Sequence, residues 1–224
     1  MADITARVRM VRHGWFVAVG MTTDVHQDPA LALRHLLFDD ARTTNTFVDE
    51  PVDLQTVREV YEAVRWAPTA MNAQPLRLAV IASADARARL VPHMSEGNRA
   101  KTLAAPLTLV AAYDPAFHEH LDVLAPHRAG AREKLDGEPE FRDSFARTNG
   151  LIQLGYLILG LRGAGLSVGP MTGMVAAGID AELFAESGWR TLAVLNVGHR
   201  AADHPEAVRP RAGRLDFEAA AAVL

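Results

Sequence analysis

The sequence predicts an α+β (α/β) fold in which a small sheet is covered by helices. Three apolar runs, Leu76–Ala82, Leu107–Tyr113 and Trp189–Val197, have the length and composition of buried strands. Segments of helical periodicity separate them. No internal repeat or linker divides the chain, so residues 21–224 read as a single domain. A hydrophobic content of 49% with 22% charged residues suits a globular domain with a sizeable core.

Residues 1–20 are expected to form a mobile N-terminal extension. Their apolar run, Trp15–Val19, is broken at Gly20 and is too short for a signal core or a membrane span. A docking strand made by the same run is the alternative. Asp28 and Pro29 then suit a helix start, and Leu31, Leu33, Leu36, Leu37 and Phe38 make an apolar stripe. A second helix is capped by Asp53, carries Leu54, Val57, Val60, Tyr61 and Val64 at helical spacing, and ends before Pro68. Helices are also expected over Asp85–Val91, Ser95–Ala105 and Asp180–Ser187, the last capped near Asp180. The irregular stretch Asp114–Gly137 reads as a lid or interface segment with a short helix around His118. Pro139 opens a long helix, roughly Glu140–Gly165, whose second half is apolar nearly all round. Such a helix sits in the centre of a core or between two subunits, and Gly155 and Gly160 would permit close approach. Val168–Gly173 reads as a loop, and the tail ends in an alanine-rich helical stub.

Several classes of chemistry are disfavoured. A net charge of −4 gives no general attraction to nucleic acid or an anionic membrane. There is no cysteine, hence no disulfide, thiolate nucleophile or cysteine-type zinc site, and a reducing, cytoplasmic setting is compatible. Gly163-Ala-Gly165 lacks the third glycine of a dinucleotide fingerprint and follows a helix where that motif needs a strand. His118 and His120 lie two apart without a carboxylate set and read as surface histidines rather than metal ligands. Ser144 and Ser187 have no nucleophile elbow.

Three polar clusters remain. Arg42-Thr43-Thr44-Asn45 and the arginines Arg209, Arg211 and Arg214 combine guanidinium forks and hydroxyls able to bind a phosphate. Between them, Trp66–Pro75 joins a helix to a strand yet holds two prolines, Asn72 and Gln74. Amides offer donor and acceptor together, which suits the edge of a flat heteroaromatic ring. Each cluster alone reads better as a solvated loop or turn-former; together they matter only if they meet in space.

In order and spacing, Arg42–Phe47, Trp66–Pro75, Gly169–Gly173 and the C-terminal arginines resemble the nitroreductase family, from about Leu31 to the C-terminus. LLFDDARTTN, GNRAKTLAAP, GPMTG and PRAGRLDF are most similar to its malonic semialdehyde reductase branch. The resemblance implies a nitroreductase-like fold with a mixed, mainly antiparallel sheet in an intertwined homodimer that binds FMN at its interface. It implies ping-pong hydride transfer from NADH or NADPH to a small-molecule acceptor, here malonic semialdehyde, with the flavin and no protein side chain carrying the chemistry. Arg42 and Thr43 match the phosphate-binding Arg-Ser pair, and Asn45 stands where many members have a second basic residue. Pro68, Thr69, Ala70 and Asn72 match the stretch facing the isoalloxazine and ribityl groups, while Gln74 supports the loop. Pro170, Met171, Thr172 and Gly173 match the segment near the flavin ring. Arg214 matches a C-terminal phosphate ligand, with Arg211 the second candidate. Lys101 stands at a recurrent lysine and reads as structural or surface. Arg99 or Arg190 would receive an acceptor carboxylate. A broad nitroaromatic or quinone reductase, a non-catalytic flavin-binding protein and a helical interaction module are the competing readings.

Overall fold

The computed structural model describes residues 28–224. The expectations for residues 1–20, including the Trp15–Val19 run, lie outside the described residues. Helix α1 spans Pro29–Arg34 and runs on as a π-helical turn, His35–Asp39. Asp28 caps it by accepting from the Ala30 N–H at 3.0 Å. Asp53 caps α2 (Leu54–Val64) in the same way through Gln55. Strand β1 (Leu76–Ile81), α3 (Ala84–Leu90), α4 (Glu96–Ala104) and β2 (Leu107–Tyr113) follow. Two short helices, α5 (Leu121–Leu124) and α6 (Ala131–Asp136), occupy the irregular excursion. Then come α7 (Pro139–Gly163), β3 (Ser167–Met171), α8 (Ala176–Leu183), β4 (Arg190–Gly198) and the stub α9 (Phe217–Ala220).

The sheet order is β1-β2-β4-β3, and every pairing is antiparallel. Along β2 the side chains alternate between two buried faces. Leu107, Leu109, Ala111 and Tyr113 pack with Val57 and Val60 of α2 and Leu154, Leu157 and Leu161 of α7. Val110 and Ala112 pack with Leu90 and with Ile179 of α8. Helices cover both faces, so the central strands read as continuous apolar runs. At Gly160 the α7 backbone approaches α2 closely: a Cβ there would lie 2.6 Å from a Val64 methyl. Gly155, by contrast, faces open space.

Four expectations are corrected. Val168–Gly173 is not a loop, because its first part belongs to the edge strand β3. The Gly-Pro pair hides this strand, yet an edge tolerates a proline that brings no N–H. Gly169 is required there, because any side chain would collide with the Thr44 carbonyl oxygen. Among the described residues the sheet therefore has four strands, with none of the parallel pairing that a mixed sheet would contain. Helix α8 begins at Ala176, so Asp180 is interior to it and not a cap. Its carboxylate accepts from the Thr191 N–H at 2.8 Å and the Thr191 hydroxyl at 2.6 Å, fastening α8 to β4. His118 is buried rather than on the surface, with Nε2 3.2 Å from Arg142 Nη1 and 3.4 Å from Asp136 Oδ1.

Gly169→Ala should lower the free energy of unfolding by about 1–3 kcal/mol, the usual cost of overpacking, and a urea titration with an unchanged midpoint would contradict the close approach. Tyr113 donates to Asp143 of α7 at 3.1 Å, and burial followed by the Asp143 charge pushes its phenol from 10.0 up to about 12. A raised folded value means that the contribution is whole below pH 10 and disappears between pH 10 and about 12. Tyr113→Phe should accordingly flatten the fall in stability across that window, as read by denaturant unfolding at each pH.

Candidate functional site

The Arg42–Phe47 segment lies along the outer edge of β3. The Thr44 N–H donates to the Val168 carbonyl at 3.1 Å, and the Asn45 N–H to the Ala207 carbonyl at 2.8 Å. The segment thereby joins the sheet edge to the tail and opens a cleft of about 830 Å³. Arg42, Lys101, Arg162, Arg209, Arg211 and Arg214 all line it. Among the described residues the one carboxylate in the lining, Asp39, is already paired with Arg34 at 2.8 Å. Thr43, Asn45 and Asn98 add uncharged polar groups. Six cations against one committed carboxylate make an anion site, and a phosphate fits that donor set.

The cations are not equivalent. Arg211 is spent on the carbonyls of Asp39 and Ala41, clamping the tail to the end of the first helical segment. Arg162 donates to the Leu37 carbonyl at 3.0 Å, and Arg42 to that of Arg209. Among the described residues Arg214 donates only to the carbonyls of its own neighbours, Ala212 and Gly213. Lys101 reaches Asn45 Oδ1 at a long 3.5 Å. Burial, and secondly the charge of Arg209, pull its ammonium below the ordinary lysine value.

Helix α4 delivers Asn98 and Lys101 to the cleft because residues three apart share a face. Its last turn is fastened by Asn196, which is 1% exposed on β4 and donates to the Lys101 carbonyl at 3.1 Å. Asn98 donates to the Gly173 carbonyl at 2.8 Å, which sets Gly173 beside the cleft. Thr172 is exposed in the turn after β3, and Pro170 sits within the strand. Met171 is 7% exposed and its side chain packs in the core with Ile179 and Val194, so it is not presented to a ligand.

The second cluster forms a separate cleft of about 550 Å³ on α7, lined by Pro68, Thr69, Ala70, Phe145, Tyr156 and other α7 residues. The rings of Phe117, Phe145 and Phe141 form a ladder beneath it, with centroids 5.6 and 5.7 Å apart. Ser144, Thr148 and Asn149 supply polar groups, and among the described residues no charged side chain lines the cleft. The loop over it has an unusual backbone: Met71, Asn72 and Gln74 have φ of 58°, 52° and 42°. Left-handed non-glycine residues cost of order 1–3 kcal/mol each and persist only where their surroundings hold them. Asn149 of α7 accepts from the Ala70 N–H at 2.7 Å, Gln153 from the Leu76 N–H at 2.9 Å, and Tyr156 donates to the Pro68 carbonyl at 3.2 Å. On the other side, Arg77 donates to the Gln74 carbonyl at 3.0 Å and to Asp114 at 2.7 Å.

Asn72 lines neither cleft. Its Nδ2 donates to the Leu124 carbonyl at 2.8 Å, and its Oδ1 accepts from Gln74 at 2.8 Å, leaving one amide hydrogen and one lone pair. Arg99 is committed to the carbonyls of Met94 and Pro92, and neither it nor Arg190 lines either cleft. Sequence reasoning missed Asn98, Arg162, Asn149, Gln153 and Tyr156. The amides at 149 and 153, one turn apart within an apolar run, are the signal that would have found the last group.

A family model described as the nitroreductase family matches residues 40–199. A Leptothrix cholodnii protein named "Putative NADH dehydrogenase/NAD(P)H nitroreductase" is 49% identical over 199 residues, 89% of this chain and 99% of that one. A Streptomyces griseus protein of the same name is 46% identical, over 85% of this chain and 94% of its own. Among solved structures, one from Exiguobacterium sibiricum, titled a "putative nitroreductase in complex with FMN", superposes with a TM-score of 0.72 at 18% identity. It covers 91% of this chain and all (100%) of its own. A nitroreductase family protein from Streptococcus pneumoniae gives a TM-score of 0.69 at 20% identity, over 87% of this chain and 100% of its own.

Asn149→Ala should leave the Ala70 N–H without its partner. A lost hydrogen bond of about 1–1.5 kcal/mol predicts roughly tenfold faster amide exchange at Ala70 with Leu76, held by Gln153, unchanged. Equal protection of Ala70 in both proteins would remove Asn149 from the clamp.

Proposed function

Because the chain belongs to the nitroreductase family, we propose that it is an FMN-dependent NAD(P)H oxidoreductase acting on a flat, uncharged acceptor such as a nitroaromatic or a quinone. The observation that carries this reading is the contrast between the two clefts: one cationic, the other free of charge and walled by aromatic rings. The first fits a phosphate and the second a planar heteroaromatic ring. Bound FMN would supply the hydride acceptance and donation.

The chain's own groups have distinct tasks in this reading. Arg42, Thr43 and Arg214 hold the phosphate, with Arg211 keeping the tail in place. Pro68, Thr69 and Ala70 present backbone to the ring, and Asn72, outside the cleft, braces the loop through Leu124 and Gln74. The segment Pro170–Gly173 holds its position through Asn98. NAD(P)H and the acceptor would stack in turn on the open face of the ring held there, which is ping-pong behaviour.

A homodimer completes the site. Phe38 is 55% exposed at the rim of the cationic cleft, and Ile152 is 43% exposed in the lining of the other. Leu31, Leu33 and Leu151 extend these apolar faces. Association through them places both clefts at the interface and covers hydrophobic surface. Among the described residues, no helix is long and apolar enough to cross a membrane.

The narrower reading, reduction of malonic semialdehyde, rests on branch resemblance. It requires a cation for the carboxylate, and among the described residues the slot lining holds none. Anaerobic addition of NADH or NADPH should bleach the flavin band. A nitroaromatic or a quinone should then restore it faster than malonic semialdehyde does. The reverse order would replace this acceptor class, and a band that no pyridine nucleotide bleaches would leave a flavin carrier. Arg42→Ala and Arg214→Ala should each weaken FMN retention about tenfold, read by flavin content after dialysis.

A further inference from the structure

We propose that Arg77 and Asp114 are a positioning pair for the uncharged cleft, setting the loop on one side of it and the aromatic floor on the other. The proposal rests on the FMN reading above. Neither residue lines the cleft, so both act through the groups they hold. The Arg77 side chain on β1 is 19% exposed, and that of Asp114, just past the end of β2, is 8% exposed. Arg77 Nη2 meets Asp114 Oδ2 at 2.7 Å, and among the described residues this is the one carboxylate within ion-pair distance of Arg77.

Further donors and acceptors of the pair go to backbone on both sides. Arg77 Nη1 donates to the Gln74 and Leu76 carbonyls, each at 3.0 Å. Gln74 is left-handed, with φ of 42°, and its N–H donates at 3.3 Å to the hydroxyl of Thr69, a residue of the cleft lining. Asp114 donates its own N–H to the Pro75 carbonyl at 2.9 Å, while its Oδ1 accepts from the Ala116 N–H at 2.8 Å. Ala116 leads directly into Phe117, whose ring stacks on that of Phe145 in the cleft lining at 5.6 Å. One ion pair thus fastens the exit of the loop to the start of the ring ladder. The guanidinium also lies 6.0 Å from the centroid of the Trp189 ring, which limits its swing. A buried ion pair gives little net stability over an apolar pair of the same volume. What the arginine fork gives is direction, and a lysine cannot copy it.

The test reads three quantities: the visible circular dichroism of bound FMN, the FMN affinity, and the limiting rate of anaerobic flavin reduction by saturating NADH or NADPH. Arg77→Gln and Asp114→Asn should each alter the dichroism, weaken FMN binding about tenfold and slow reduction about tenfold. Riboflavin should lose affinity by the same factor, because the phosphate takes no part. The double variant should lose no more than the weaker single variant, since either change breaks the same link. Arg77→Lys is the second variant should Arg77→Gln fail to fold; it keeps a charge beside Asp114 without the fork, and should show the same altered dichroism. Flavin-loaded variants with wild-type dichroism and rate, and only a lowered urea midpoint, would make the pair structural and overturn the assignment. Losses that multiply in the double variant would overturn it too, and both results leave the FMN reading standing. A wild-type protein that binds no flavin overturns the FMN reading, and this assignment with it.

Discussion

One row of hydrogen bonds governs the arrangement around the uncharged cleft: Asn149, Gln153 and Tyr156 of α7, reaching Ala70, Leu76 and Pro68. The three side chains lie on one face of the helix, and their partners span a loop whose backbone is left-handed at three positions. Without that row the loop would have easier conformations. With it, backbone polar groups at both ends of the turn are paired, and the remainder is held open above a stack of phenylalanine rings. Asn149 and Gln153 are 1% and 5% exposed, so their polar atoms must be used, and the loop is where they are used.

The cationic cleft follows a different constraint. Its cations come from the Arg42 segment, α4, α7 and the tail, and no single element could hold them against mutual repulsion. Carbonyls do much of the neutralising: Arg42, Arg162, Arg211 and Arg214 each donate to backbone oxygens. This leaves Lys101 and Arg209 as the charges least provided for.

Much of the fold was legible in the sequence, for reasons that vary by element. β1, β2 and β4 declared themselves because helices bury the faces of the central strands, which enforces apolar runs. Asp28 and Asp53 were readable as caps because capping is local. β3 was not, because its proline and glycine answer to an edge position and to Thr44, more than a hundred residues away. His118 misled because its burial depends on Arg142 and the packing of α6 on α7. For the candidate site, the polar clusters at 42, 68–70 and 214 could be singled out, but that they line two different clefts could not be read. That division depends on how α7 lies across the sheet. The left-handed values at Met71 and Gln74 leave no trace in composition, since neither residue favours them.

The seating of Thr44 on Val168 has a consequence for solution behaviour. A bare strand edge is a template on which another chain can build. Here the outer edge of β3 is covered in part by Pro170, which offers no donor, and in part by the segment bearing Arg42. The cover is therefore the same stretch of chain that would grip an anion. One segment thus caps the exposed edge of the sheet and furnishes a wall of the cationic cleft.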